Sequence, residues 1–416
     1  MKVMRRFAFC LLISGSLGLA VAGQTPGALN PGGKAPVFEA REIRRDFGVG
    51  YAVTTGDVNG DKKPDVLAIS GTQLVWFENP SWTQHVVLDG QTPKDNVALA
   101  AQDIDGDGRL DVALAAAWNP RDTNGGGTLH WVRQPAGPAP PAASGVAPES
   151  FWPLIDIASE PTLHRIRWAN VDGRGLPELI AAPLHGRGTS PPEWNGPGAR
   201  LLVFSVPPNA AASGAKWPVE VADDTLHILH NFAVVRWEDD DDTRDDLITS
   251  SREGVHLLRR GAGADGKWTR TKLGEGAPGE IKLGRVGGRR VIAAIEPWHG
   301  NSVVLYLEPG RNAPAGTLWT RSVIEEQLTG GHALGWGDFD KDGDDELAVG
   351  WRDKEGGLAL YEIDRDGKVV AKHPIDAGGM ATEDLAVADL DGDGRPDIVA
   401  SGRRTSNVKI YFNRSR

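Results

Sequence analysis

"DIDGDGRLD", Asp103–Asp111, places four aspartates in nine residues and runs straight into "VALAAAW", an apolar stretch that reads as a strand. One such turn would suggest a calcium loop. Further copies change the reading: "GDVNGDKKPDVLAIS" from Gly56, "ANVDGRGLPELIAAP" from Ala169, "WEDDDDTRDDLITSS" from Trp237, "GRVGGRRVIAAIE" from Gly284, "GDFDKDGDDELAVGW" from Gly337 and "ADLDGDGRPDIVASG" from Ala388, seven in all. Each lies between two short apolar strands. A third strand often follows ("QLVWFEN", "RLLVFSV", "SVVLYLE", "NVKIYFN"), and then a fourth ("WTQHVVL", "KWTRTKL", "LWTRSVI"). Four short strands per repeat, at a spacing of roughly 45 to 70 residues, are the signature of β-propeller blades.

The last repeat stops at "NVKIYFNRSR" and lacks its fourth strand, whereas "VFEAREI", residues 37–43, has a fourth-strand pattern and no blade of its own. Joining the two closes the ring and removes a free sheet edge. The expectation is therefore an all-β, seven-bladed propeller over residues 37–416. No long amphipathic helix pattern supports a two-domain α/β fold. Three Pro/Gly/Ala-rich insertions, residues 133–150, 186–199 and 207–215, read as surface loops. The second follows a blade strand directly and is placed to wall a site, although the register places the mouth on strand ends.

Residues 1–22 combine basic Lys2, Arg5 and Arg6 with an apolar core and end in Ala20-Val21-Ala22, the pattern of a cleaved export signal. Residues 23–36 read as a flexible segment. Cys10, the only cysteine, lies in the signal, so the mature chain would use no disulfide or thiolate chemistry. No other apolar run is long enough to span a bilayer. The expected location is periplasmic or extracellular. A formal charge of −11 argues against a nucleic-acid partner.

Calcium takes oxygen ligands at alternate loop positions around a sharp glycine turn. Positions 1, 3, 5 and 9 are filled by Asp103, Asp105, Asp107 and Asp111, and again by Asp389, Asp391, Asp393 and Asp397. Asp338, Asp340, Asp342 and Glu346 come close, as do Asp57, Asn59, Asp61 and Asp65, and then Glu238, Asp240, Asp242 and Asp246. Arg174 occupies the third ligand position of blade three, and Gly284, Val286 and Gly288 leave blade five without a site. The alternative is that these carboxylates only cap turn N–H groups. Either role is structural, and all these corners lie at one end of the ring.

At the opposite end, six residues before the first acidic position, the blades carry Tyr51, Val97, His164, Phe232, Pro278, His332 and Glu383, and His230 shares a face with Phe232. Six residues past the last acidic position come Gly71, Ala117, Leu184, Arg252, Glu296, Arg352 and Arg403, beside Trp118, His185, Trp298, His299 and Trp351. Imidazoles, guanidiniums, carboxylates and indoles thus converge on one mouth. The bland reading assigns the arginines to rim salt bridges and the indoles to interblade packing, the preferred role for Trp168, Trp237 and Trp336.

The chain resembles the FG-GAP/VCBS-type repeat propellers of secreted proteins and, more narrowly, the seven-bladed propeller domain of aldos-2-ulose dehydratase. "LHRIRWANVDGRGLPELIAAPLHGRG", "DTLHILHNFAVVRWEDDD", "EPWHGNSVVLYL", "GHALGWGDFDKDGDDELAVGWR" and "GGMATEDLAVADLDGDGRPDIVASGRRTSNVKIYFN" carry the likeness. The resemblance implies dehydration of a keto-sugar such as anhydrofructose, without the second, cupin-borne isomerisation. Some other seven-bladed propellers are polysaccharide lyases that cleave beside a uronic acid, and the two activities share β-elimination chemistry. The expected catalytic groups are His164, His230, His332 and Glu383. Substrate would be held by Tyr51, His185, Arg252, Glu296, Trp298, His299, Arg352 and Arg403. The rim would be a free imidazole base or a site for Zn2+, Mn2+ or Mg2+, with Ca2+ in the acidic loops. The alternative function is a non-catalytic carbohydrate- or protein-binding propeller.

Overall fold

Strand-forming runs five to nine residues long, cut by turns rich in Asp and Gly, leave the chain little choice but to meander. In the computed structural model, which describes residues 35–137, 151–212, 214–237, 243–262 and 266–415, they form seven four-stranded antiparallel sheets. Blade one is β2–β5 (Ala52–Gly56, Asp65–Ile69, Gln73–Glu78, Thr83–Asp89) and blade two β6–β9 (Ala98–Gln102, Asp111–Ala116, Thr128–Val132, Leu154–Ser159). Blade three is β10–β13 (Leu163–Ala169, Glu178–Pro183, Ala199–Phe204, Val219–Leu226) and blade four β14–β17 (Asn231–Val235, Asp246–Ser251, Gly254–Arg260, Trp268–Gly274). Blade five is β18–β21 (Ile281–Val286, Arg289–Glu296, Ser302–Leu307, Thr320–Glu325) and blade six β22–β25 (Gly331–Gly337, Glu346–Trp351, Gly357–Ile363, Val369–Ala377). Blade seven takes β26–β28 (Thr382–Ala388, Asp397–Gly402, Val408–Asn413) and receives β1 (Phe38–Arg44) as its outer strand, with Phe38 opposite Asn413 and Arg41 opposite Ile410. The ring closes as the unpaired sequence elements require. Among the described residues no helix is long and apolar enough to cross a membrane. The export signal and most of the flexible segment lie outside the described residues.

Seven hydrophobic clusters fill the structure, one at each blade interface; Val97, Leu129, Leu163 and Leu179, for example, join blades two and three. Each buried Val, Leu or Ile contributes about 1.5–3 kcal/mol. The indoles assigned to packing behave so: Trp168 Nε1 donates to Ala100 O at 3.2 Å and Trp336 Nε1 to Lys282 O at 3.3 Å, each reaching the preceding blade. Trp237 lies 5.7 Å from Trp319.

The acidic corners are fasteners. The ninth-position carboxylate turns inward and accepts the second-position N–H: Asp65 from Val58 at 2.9 Å, Asp111 from Ile104 at 3.3 Å, Glu178 from Val171 at 3.1 Å, Glu346 from Phe339 at 2.7 Å and Asp397 from Leu390 at 2.9 Å. Burial pushes these carboxyls up, to about 6 for Asp65, Asp111 and Asp397, about 7 for Glu178 and about 8 for Glu346. An amide at the end of the third strand in blades one, two and seven then clips that blade to the corner of its neighbour. Asn79 reaches Leu390 O, Gln134 reaches Val58 O and Asn413 reaches Phe339 O, at 2.6, 2.9 and 2.7 Å.

Asp103, Asp105 and Asp111 bring ligand oxygens within 4.8 Å of one another, as do Asp338, Asp340 and Glu346, and Asp389, Asp391 and Asp397. The fifth position departs from expectation. Asp107 and Asp393 turn to Arg109 and Arg395, and Asp342 accepts the N–H of Asp344, because each is the cap of its own short turn. Glu238, Asp240 and Asp242 lie outside the described residues. In blade five the corner is a two-residue hairpin turn at Gly287-Gly288, both at positive φ, and Gly284 sits inside β18.

Candidate functional site

The inner strands of blades three, six and seven share an irregularity that the other four lack. Pairing with the second strand shifts register between Leu163 and Arg165, between Gly331 and Ala333, and between Thr382 and Asp384. The extra residues are His164, His332 and Glu383. A β-bulge re-aims the side chain it carries, so three of the four expected catalytic residues owe their direction to the same backbone device. Strain gathers nearby. Ala117, Trp298 and Trp194 hold φ of 55°, 50° and 53°, next to Trp118, next to His299 and within the second insertion. Such left-handed conformations cost about 1–3 kcal/mol each and cluster at functional sites.

His164, His230, His299 and His332 meet at this mouth. His164 and His230 rings are 4.6 Å apart, His230 and His299 4.6 Å, and His299 and His332 4.6 Å. Burial, reinforced by Arg165 and Arg352, pushes all four imidazoles far below their usual range and holds them neutral. Their protons can be assigned from their partners. His332 Nδ1 donates to Glu383 O at 2.5 Å, leaving the Nε2 lone pair free. His164 Nδ1 donates to His230 O at 2.9 Å and its Nε2 accepts from Arg165, also at 2.9 Å, so both nitrogens are engaged. Arg352 can only donate, so His299 Nδ1 accepts at 2.9 Å and the proton sits on Nε2. That proton points at His230 Nε2, 2.6 Å away, and His230 Nδ1–H therefore faces Glu280 Oε1 at 3.4 Å.

His164 consequently cannot serve as the free base the sequence suggested. His299, expected only to touch substrate, takes its place: imidazole nitrogens of His230, His299 and His332 lie within 4.8 Å of one another. His230 and His332 fit a divalent cation: His332 Nδ1 is anchored on a carbonyl, His230 Nδ1 faces a carboxylate at 3.4 Å without a hydrogen bond to it, and both Nε2 atoms are aimed inward. His299 joins the set once Arg352 releases Nδ1.

Glu383 is an anchor. One oxygen accepts from Arg352 at 2.7 Å and the other from Arg403 at 2.8 Å. With both oxygens engaged, it positions the arginines instead of presenting a proton donor. Arg403 also lies over the Tyr51 ring, 5.6 Å from its centre. Burial, followed by the charge of Asp95, pushes the Tyr51 phenol up. Asp95 was not singled out from sequence. A Cβ added to Gly71 would lie 2.6 Å from Asp95 Oδ1, so the missing side chain makes room for this carboxylate beside Tyr51.

Aromatic rings wall the mouth. Trp118 stacks on His164 at 4.6 Å, His185 on Trp194 at 3.7 Å, and Trp298 lies 6.2 Å from His230. Trp194 belongs to the second insertion, which does wall the site. Two residues expected at the mouth turn elsewhere. Glu296 is committed within blade five, to Tyr306 and to Arg321. Arg252 holds the second insertion through Glu193 O at 2.5 Å and Asn195 Oδ1 at 3.0 Å.

These features define a class by fold, the seven-bladed β-propeller, and residues 50–114 and 338–400 match the FG-GAP-like repeat family. More particularly, residues 126–309 match the β-propeller domain of aldos-2-ulose dehydratase. The match includes His164, His230, His299 and Glu280, while His332, Arg352 and Glu383 lie beyond it. Among solved structures, "Crystal structure of BBS1N in complex with ARL6DN, soaked with mercury" shares the fold, with a TM-score of 0.51 and 12% identity over 90% of this chain and 96% of that chain. A search of curated proteins found no match.

Proposed function

We propose that the chain is an exported carbohydrate-active lyase or dehydratase performing β-elimination on a keto-sugar or a uronic-acid-containing sugar at the histidine mouth. The observation that carries this reading is the convergence of three neutral imidazoles and two guanidiniums braced on Glu383. The match to the aldos-2-ulose dehydratase propeller domain supports a carbohydrate substrate. A Zn2+, Mn2+ or Mg2+ ion held by His230, His299 and His332 would supply Lewis-acid polarisation of a carbonyl or carboxylate. The imidazoles' depressed basicity suits ligands better than a free base poised near neutrality.

Arg352 and Arg403 donate to the oxygen that gains charge as the α-proton leaves, an interaction worth about 3–4 kcal/mol in comparable oxyanion sites. Asp95, whose side chain makes no hydrogen bond or ion pair among the described residues, is placed to take the proton, and Tyr51 beside it to protonate the departing hydroxyl. Trp118, Trp194 and Trp298 offer faces for a sugar ring. Ca2+ in the corners of blades two, six and seven would brace the opposite end of the ring.

The test incubates purified protein with anhydrofructose and other keto-sugars and with uronic oligosaccharides, following absorbance of the conjugated product. Turnover by wild type, lost in Asp95→Asn and His332→Ala, supports the proposal. No absorbance change across the panel, with glycan binding intact, would identify a binding propeller instead.

A further inference from the structure

Below the histidines the central channel opens into a cavity of about 650 Å³ that no histidine lines. Its wall carries five charges from the inner faces of three blades: Arg165 and Arg167 from blade three, Glu280 and Lys282 from blade five, and Asp384 from blade seven. Arg165 is fully used, with Nη1 on His164 and Nη2 on Glu280 at 2.9 Å. Asp384 accepts the N–H of Val53 at 3.1 Å. The side chains of Arg167 and Lys282 make no hydrogen bond or ion pair among the described residues. Arg167 Nη1 is buried without a partner, its guanidinium resting 4.9 Å from the centre of the Phe232 ring.

Three cations thus face two carboxylates, and a buried cation without a partner is costly. Burial pushes Arg167 down to about 10. Burial, then repulsion from Arg167, pushes Lys282 down to about 8. A guest carrying one negative charge balances the wall; a dianion overshoots it. A planar guanidinium fork beside an ammonium point charge matches a carboxylate, and the volume suits a sugar-sized molecule. Trp168 and Trp336 add apolar wall.

We propose that this chamber, which adjoins the mouth at Tyr51, Arg165 and Glu280, is a second ligand site where Arg167 and Lys282 bind the carboxylate of a small monoanion of sugar-acid size. The acidic corners at the far end would slow entry at low salt, and this effect is screened beyond about 8 Å at physiological ionic strength.

Calorimetric titration of the full chain tests it, with D-glucuronate as probe, glucose as neutral control and inorganic phosphate as the competing anion. At pH 6.5 wild type should bind glucuronate and not glucose. Arg167→Met and Lys282→Met should each weaken binding at least tenfold and leave the melting temperature unchanged or higher. Lys282→Met, which leaves the Phe232 contact intact, stands on its own if the Arg167 variant folds poorly. Wild-type affinity should fall as pH rises through about 8. Absence of glucuronate binding overturns the proposal, as does binding that both variants retain. Binding lost in Arg352→Met but kept in Lys282→Met would assign the ligand to the mouth and also overturn it. Phosphate bound more tightly than glucuronate overturns the carboxylate assignment. The readout is heat of binding, so a failure of the lyase reading leaves this test standing.

Discussion

Glu383→Gln is the most informative single change at the mouth. The Glu383 side chain is 4% exposed and holds Arg352, itself 12% exposed, and Arg403, 40% exposed. Removing one partner of a buried pair costs about 3–5 kcal/mol, because the other charge is left uncompensated. The half-exposed Arg403 pair adds only about 0–1 kcal/mol. Gln keeps an acceptor, so the expected loss lies near the lower bound, about 3 kcal/mol. At roughly 2–4 °C per kcal/mol for a chain of 150–250 residues, a melt of this larger ring should fall by about 5–10 °C. Arg352 also orients His299, so turnover should fall at least 100-fold. The assay is a double-mutant cycle by calorimetry. Glu383→Gln with Arg352→Met should recover at least half of the lost stability, since neither charge is then stranded, and should not recover turnover. A melt within a degree of wild type for Glu383→Gln, or a double variant as unstable as the sum of the singles, would refute the claim that Glu383 braces the arginines.

Chelator should lower the melting temperature and calcium restore it by mass action, while Asp103→Ala and Asp389→Ala should reduce stability more than turnover; an unchanged melt would leave the corners as hydrogen-bonded turns only. Without calcium, the raised ninth-position carboxyls bind protons more tightly folded than unfolded. Their contribution is fully present below about pH 4 and declines as pH rises through about 6 for Asp65, Asp111 and Asp397 and about 8 for Glu346, and calcium should flatten this decline. The buried histidines act oppositely: their folded values are depressed, so with calcium present stability should fall as pH drops below about 6.5, less steeply in His332→Ala. Replacing His230 or His332 with Ala should cost about 10²-fold or more in turnover, whereas His373→Ala, on outer strand β25, should be silent.

The ring was legible in the sequence because two independent regularities agree: the repeated acidic corner, and the missing outer strand matched by "VFEAREI". The mouth was legible where side chains sit at equal counts from a corner, hence His164, His332, Glu383, Arg352 and Arg403. Counting failed where corners differ in length. The tight Gly287-Gly288 turn displaces blade five, so a count from Gly284 lands on Pro278 and passes over Glu280, the carboxylate that faces both His230 and Arg165. Nor does a count reveal which nitrogen is free. The ranking of His299 above His164 depends on Arg165 and Arg352, whose long side chains choose partners only after folding. Asp95 and Trp194 sit in connections outside the repeat. Glu296 carries no pattern to show that it serves Tyr306 and Arg321 and not the mouth.

The central claim is that the imidazoles of His230, His299 and His332 form a metal-holding site for β-elimination. Its most direct test is metal analysis of the purified protein alongside turnover of the keto-sugar and uronate panel, before and after chelation, for wild type and His332→Ala. The account predicts about one transition-metal or magnesium equivalent beyond calcium, turnover that chelation abolishes and Zn2+ or Mn2+ restores, and neither metal nor rescue in His332→Ala. Full turnover by chelated wild type, or metal retained undiminished in the variant, would contradict it.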